Sequence, residues 1–404
     1  MFKTKKIERR IYLDWAAAAP VLPVAAQAAS HITEEFFGNP SSIHQEGRLA
    51  KERLEAARSL LADCLAAERS EVYFTSSATE ANQIVLASAL AKFLSSPRQS
   101  KRPRIIISEI EHASLWEATM ALKRFGFEIM TLRPGADGIV GLERLGDLLN
   151  EETVLVGLML VNNETGAIQP IADCAQLIKD FSHTSGRKIH FHCDAVQAFG
   201  RLYLSFAELG VDSLAVSAHK LGGLRGAGAL ILKKRVHLLP LFRGGGQESG
   251  LRSGTENLAS IVAFSEAACL RLKNLESSLA KAHFLMQELV TKLMKISDVY
   301  LIPQARAEAK ADLFSPYILT VATPPIPGEV LQRHLDEAGI AVSTGSACRT
   351  NKSQKNRVLE AMGLEAQLAG SAIRLSIGPE TTNEELDIFL EVLTDLLPYL
   401  KKIS

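Results

Sequence analysis

Polar residues that could act on a small molecule collect just after apolar runs. Thr79 closes Thr75-Ser-Ser-Ala-Thr79, and Glu111-His112 follow the Ile105 run. Asn162-Asn163-Glu164 follow the Val154 run, Asp194 and Gln197 come after His192, and Ser217, His219 and Lys220 come after Val216. One such residue is an ordinary turn or cap, whereas five clusters at corresponding places imply a site. Hydroxyls and backbone N–H groups at a helix start suit a phosphate. A carboxylate at Asp194 can hold a proton on a ring nitrogen, the amine of Lys220 can form a Schiff base, and His112 can stack on a planar ring. An Asp partner for a pyridinium nitrogen together with a Schiff-base lysine is what pyridoxal-phosphate (PLP) chemistry requires. Taken singly, Asp194 can equally cap a turn and Lys220 can be a solvated surface lysine.

The elements that must position these groups alternate. Between about residues 71 and 235, short β-rich runs at 71–74, 104–108, 128–132, 154–161, 188–192, 213–217 and 228–232 alternate with helical patterns. Nearly all-apolar strands predict a mostly parallel seven-stranded sheet covered on both faces, an α/β fold. Ligands of such sheets bind beyond the carboxyl ends of the strands, where the polar clusters lie. Helical patterns run from Ala259 to about Ile296. Strands at 317–321, 341–343 and 372–376, with helices at 328–338, 358–362 and 384–400, then predict a smaller α+β unit. The expected division is a large cofactor-binding domain at 18–264 and a small C-terminal domain at 265–404, joined by the N-terminal segment 1–17.

Composition excludes several classes. The chain has 404 residues, 47% of them apolar, and 45 basic residues balance 45 acidic ones. That balance gives no reason to expect nucleic acid or an anionic membrane as partner. The basic start carries no apolar signal core, and the apolar run 154–161 is far short of the roughly 20 residues that cross a bilayer. A cytoplasmic protein is expected. Five cysteines, Cys64, Cys174, Cys193, Cys269 and Cys348, form no CxxC pair, so neither a disulfide framework nor a metal site is expected. Four lie in or beside apolar runs and read as small buried hydrophobes. Cys348 differs, lying in the polar stretch Ser343-Thr-Gly-Ser-Ala-Cys348-Arg-Thr-Asn-Lys.

In order along the chain, these motifs resemble those of the cysteine desulfurases, within the class V aminotransferases of PLP fold type I. Ser217-Ala-His-Lys220 is similar to their lysine motif, and His192-Cys-Asp-Ala-Val-Gln197 to their aspartate motif. Tyr12-Leu-Asp-Trp-Ala-Ala17, Phe37-Gly-Asn-Pro-Ser-Ser42, Phe74-Thr-Ser-Ser-Ala-Thr-Glu80, Val161-Asn-Asn-Glu-Thr-Gly166 and the Gly-rich run Gly244–Thr255 are the others. Ser343–Cys348 resembles the catalytic-cysteine loop of the desulfurases that supply iron–sulfur cluster assembly, and Ile373-Arg-Leu-Ser-Ile-Gly378 resembles their carboxylate motif.

The resemblance implies that Lys220 carries PLP, Asp194 pairs with its ring nitrogen, and Gln197 contacts its hydroxyl. His112 would stack on the ring and assist proton transfer. Ala78, Thr79, Ser217 and His219 would hold the phosphate, and Thr255 would complete that cup from the second subunit of a homodimer. Arg374 with Asn163 would bind the carboxylate of L-cysteine. Cys348 would take the sulfur as a persulfide and pass it to an acceptor such as an iron–sulfur scaffold. Selenocysteine lyase or another class V activity stays open, as does an inactive binding relative. Three departures stand out: Ala16-Ala-Ala-Ala-Pro20 where the family usually has Thr-Thr, Gly222-Gly-Leu-Arg-Gly226 where it usually has Gly-Pro-Lys-Gly, and the basic run Arg349, Lys352, Lys355 and Arg357.

Overall fold

The computed structural model describes residues 9–95, 102–308, 311–345 and 356–402. In chain order the strands are β1 (Ile11–Tyr12), β2 (Val72–Thr75), β3 (Arg104–Ser108), β4 (Glu128–Leu132), β5 (Thr153–Met159) and β6 (His190–Asp194). They continue with β7 (Ser213–Ser217), β8 (Gly228–Leu232), β9 (Tyr300–Ile302), β10 (Ile318–Ala322), β11 (Ile340–Ala341) and β12 (Ala372–Ser376). Seven of them form one sheet in the order β2-β8-β7-β6-β5-β3-β4. From β7 through β6, β5 and β3 to β4 the pairs are parallel, as the apolar runs predict. β8 runs antiparallel to both β7 and β2. The link from β7 to β8 contains no α-helix, and a parallel return would need a long crossover.

Burial explains the composition of the central strands. Ile105, Ile106 and Ile107 of β3 are all fully buried, each worth about 1.5–3 kcal/mol relative to exposure. Helices Ala78–Leu94 and Ala113–Ala121 cover one face and Ile171–Ser185 the other. Two strands of the large sheet end two residues away from the expectation. The strand read at 188–192 lies two residues later, because its ladder with β5 runs from Leu155↔His190 to Met159↔Asp194. The strand read at 154–161 ends at Met159, and Val161 turns away to bridge Ile168.

Helices Pro23–Glu35 and Gln45–Leu65 precede β2 and pack on helix Leu258–Lys273. The first of these contacts is made by small residues, Ala25 and Ala29 against Ala263 and Ala267. Residue 265 lies inside helix Leu258–Lys273. Beyond it, β9, β10 and β12 form an antiparallel sheet in the order β12-β10-β9. β1 pairs in parallel with β11, and Asp14 bridges Ser376, so the N-terminal segment joins this C-terminal unit. No described helix is long and apolar enough to cross a membrane.

Candidate active site

The carboxyl ends of β3, β5, β6 and β7 lie along one edge of the sheet, and β2 ends beside them through Thr75↔Gly228↔Ser217. A cavity of about 260 Å³ opens there. A larger cleft of about 590 Å³ borders Arg58 and Glu248, but the smaller cavity is where the chemically capable groups meet. Its walls include Ala78, Thr79, His112, Asn163, Asp194, Gln197, Ser217, His219, Lys220 and Arg374. Ten of the twelve residues predicted for the site therefore converge.

One corner is built for an anion. Helix Ala78–Leu94 begins there, with Ser77 as its N-cap and Ser77 Oγ accepting from the Glu80 N–H at 3.3 Å. The first N–H groups of this helix face a site that favours negative charge. β8 starts so close to this turn that a Cβ on Gly228 would lie 2.6 Å from the Ser77 carbonyl carbon. Any side chain at 228 would displace the corner. Ser217 Oγ and His219 Nδ1 lie 2.8 Å apart. Burial, aided by the charge of Lys220, pushes His219 down to about 4, so its imidazole is neutral at neutral pH.

The turn after β7 carries Lys220, whose Nζ donates to the carbonyls of Ala16 and Ala17, both at 2.7 Å. Gln197 Nε2 donates to the same Ala16 carbonyl at 2.9 Å, and its Oε1 accepts from Arg201. Arg201 in turn donates to the carbonyls of Trp15 and Lys220. Every one of these contacts to 15–17 is to backbone oxygen. The Ala-rich departure at 16–19 thus leaves the hold on Lys220 intact.

Asp194, at the end of β6, accepts from the Val196 N–H at 3.1 Å and from Asn82 Nδ2 at 2.9 Å. His112 is the N-cap of helix Ala113–Ala121, and its Nδ1 accepts from the Ser114 N–H at 3.1 Å. Burial is the main cause that lowers its pKa, and the positive charge of Lys220 adds to it, against the opposing pull of Asp194. Glu111, fully buried next door, is pushed up to about 8 by burial. Arg374, on β12, is buried, with its two terminal nitrogens donating to the Asn163 carbonyl and to Asp14 Oδ1, both at 2.8 Å. Its Nε–H has no hydrogen-bond partner among the described residues. A lysine amine, a buried carboxylate, a neutral imidazole, a helix N-terminus and an arginine with an unused donor are a donor set that PLP and an amino acid would fill.

The family model for class V aminotransferases matches residues 11–389. The chain belongs to the class V aminotransferase family. Like its family, this class V protein uses PLP as cofactor. It is 35% identical over 400 residues to a cysteine desulfurase IscS of Dictyoglomus turgidum, a match covering 98% of this chain and 97% of that one. It is 37% identical to a NifS/IcsS protein homolog of Lactobacillus delbrueckii subsp. bulgaricus, over 98% of this chain and 99% of the relative. A solved NifS-like protein superposes with a TM-score of 0.87 at 34% identity, covering 97% of this chain and all of the other.

Of the predicted residues of this class V enzyme, one stands apart from the cavity and one is not described. Thr255 is exposed and does not line it. Cys348 lies outside the described residues, as do Arg349, Lys352 and Lys355. Arg357, read with them as part of a basic run, is not a solvated charge. Its guanidinium sits 4.3 Å over the Trp116 ring and donates to the carbonyls of Glu109 and Glu111. The sequence reading missed Asn82, Ser114, Asp14 and Arg201, which hold the predicted groups in place. Asp14 lies within the motif Tyr12-Leu-Asp-Trp-Ala-Ala17.

Proposed function

We propose that this chain is a cysteine desulfurase that converts L-cysteine to L-alanine and hands the sulfur, as a persulfide on Cys348, to an acceptor protein. The observation that carries this reading is the convergence of Lys220, Asp194, His112 and Arg374 on one cavity. Relatives named cysteine desulfurase that match nearly the whole chain support it. When bound, PLP supplies an electron sink for the charge left at the substrate α-carbon. Lys220 would hold the cofactor covalently, and its amine would move the α-proton. Asp194 would keep a proton on the ring nitrogen, and the helix start at Ala78 and Thr79, with Ser217 and His219, would hold the phosphate. Gln197 would contact the ring hydroxyl and His112 would stack on the ring. Arg374 binds the substrate carboxylate together with Asn163, since a guanidinium meets a carboxylate through paired N–H donors.

Cys348 then attacks the substrate sulfur as a thiolate, the S–Cβ bond breaks, and Cβ gains a proton as alanine leaves. A free thiol has a pKa of about 8.5, so a neighbouring cation or base is needed to raise the thiolate fraction. We assign residues 18–264 to the large domain and 265–404, with 1–17, to the small one. Thr255 serves the cup of a second subunit. Its exposure, and that of Phe242 on the same segment at 84%, fits a surface covered in a homodimer. The four described cysteines are all free thiols, in keeping with a reducing cytoplasm. The test feeds L-cysteine to wild type and Cys348→Ser, measures alanine, and looks by mass spectrometry for added sulfur. Wild-type alanine production by the serine variant, or a persulfide found only on another cysteine, would overturn the reading.

A further inference from the structure

Asn82 lies in the second turn of helix Ala78–Leu94 and is fully buried. Its amide makes three hydrogen bonds to residues of two other elements, β6 and helix Ala113–Ala121. Nδ2 lies 2.9 Å from Asp194 Oδ2 and 2.9 Å from Ser114 Oγ, and Oδ1 lies 2.8 Å from His192 Nε2. The direction of each bond follows from chemistry. An amide oxygen only accepts, so His192 Nε2 carries a proton. His192 is fully buried and neutral, so its Nδ1 has none and accepts from Ser213 Oγ at 2.7 Å. The Ser213 hydroxyl, having donated, accepts from His190 Nε2 at 2.7 Å. Turning the Asn82 amide over would set its oxygen against a carboxylate and its nitrogen against an N–H, so only one orientation satisfies all partners.

Ser114 Oγ accepts one N–H of Asn82, which leaves its own proton for His112 Nδ1, 2.9 Å away. His112 Nδ1 also accepts from the Ser114 N–H, so a neutral His112 carries its proton on Nε2.

We propose that Asn82 is a positioning residue that orients two groups at once, the Asp194 carboxylate directly and the His112 ring through Ser114. This rests on the proposed roles of Asp194 and His112. Asn82 does not line the cavity, so it acts only by fixing where the Asp194 oxygen and the His112 proton sit.

The test uses the full chain with Asn82→Leu, close to asparagine in volume but without its hydrogen bonds, and with Asn82→Ser, Ser114→Ala and Asp194→Ala. Gln83→Ala, an exposed neighbour on the same helix, is the control. Three quantities are read: PLP dissociation, the pH titration of the bound cofactor's absorption, and the ¹⁵N histidine signals of the full chain with and without PLP. For Asn82→Leu we expect PLP to bind on the order of tenfold more weakly, as for loss of one charge-assisted bond, and the absorption titration to shift in the same direction as in Asp194→Ala. In Ser114→Ala we expect the His112 ¹⁵N signals to move while the absorption titration stays. Gln83→Ala should match wild type in all three. If Asn82→Leu does not fold, Asn82→Ser, which cannot span both partners, is read against the same expectations. Wild-type PLP affinity and titration in the position-82 variant, where Asp194→Ala changes both, would overturn the role of Asn82 alone. An Asp194→Ala protein with a wild-type titration would instead overturn the reading of the site.

Discussion

Replacing Arg58 with methionine should destabilise the fold far more than a surface charge change. The Arg58 guanidinium donates to Glu248 through both terminal nitrogens, at 2.7 and 2.8 Å. Glu248 also accepts from the Phe74 N–H at 2.8 Å, and its side chain is 1% exposed. Methionine fills similar space and packs against Phe74, over which Arg58 now lies at 4.8 Å. The carboxylate would keep one N–H and lose both charged donors. Removing one partner of such a buried pair costs about 3–5 kcal/mol. Glu248 and Ser249 further hold positive φ values of 45° and 55°, rare for residues other than glycine, and the ion pair helps to keep them there. Urea denaturation at equal protein concentration measures the loss. Arg58→Met with Glu248→Leu should recover most of the deficit, because no charge is then left buried. A single variant within about 1 kcal/mol of wild type, in the range of an exposed pair, or a double variant no better than the single, would refute the reasoning.

Other outcomes follow from the site. Lys220→Ala should lose every borohydride-reducible link to PLP, and mass spectrometry of a reduced variant that still carries the cofactor would contradict the assignment. Arg374→Lys keeps the charge but loses the fork, so KM for L-cysteine should rise about 10- to 100-fold, with a smaller change in kcat; an unchanged KM in steady-state assays would count against it. Burial holds His190 and His192 at about 3 and His219 at about 4, while Glu111 is raised to about 8. The neutral histidines stabilise the fold above about pH 6.5, and that contribution is lost as pH falls toward their folded values. Glu111 has the opposite sign, since it is protonated when folded at pH 5.5 and ionised when unfolded. Unfolding at pH 5.5 should therefore take up about two protons net from these four groups, measurable by calorimetry in buffers of different ionisation enthalpy. Net proton release there would show that the signs are wrong.

Much of the α/β frame is legible because burial on both faces leaves its mark on every residue of a central strand, as in Ile105–Ile107. The chemistry is legible for a related reason. A carboxylate or amine directly after such a run, like Asp194 or Lys220, has no packing role that would put it there. Strand direction is less so, and the antiparallel run of β8 follows from the short link before it rather than from its composition. The helix at 23–35 buries Ala25, Ala29 and Ile32, and alanines let backbones approach where leucines would advertise a core. Asn82 is hidden for another reason. It reads as a polar position on a helix, yet its partners lie 32, 110 and 112 residues away, and only the folded sheet brings them to it.

The backbone hold on Lys220 bears on how the chain can be re-engineered. Residues 11–18 form a seam: one end is a strand partner of β11, and the other offers the carbonyls of Ala16, Ala17 and Ala18 to Lys220 and Tyr12. Arg9 and Arg10 before it are exposed. A fusion can therefore leave the molecule ahead of Ile11 without touching the seam. A circular permutant that opens the chain between 11 and 18 would unstitch the C-terminal unit and release the lysine in one cut. The tolerance of this protein to new termini is thus set by the carbonyl oxygens of residues 16–18.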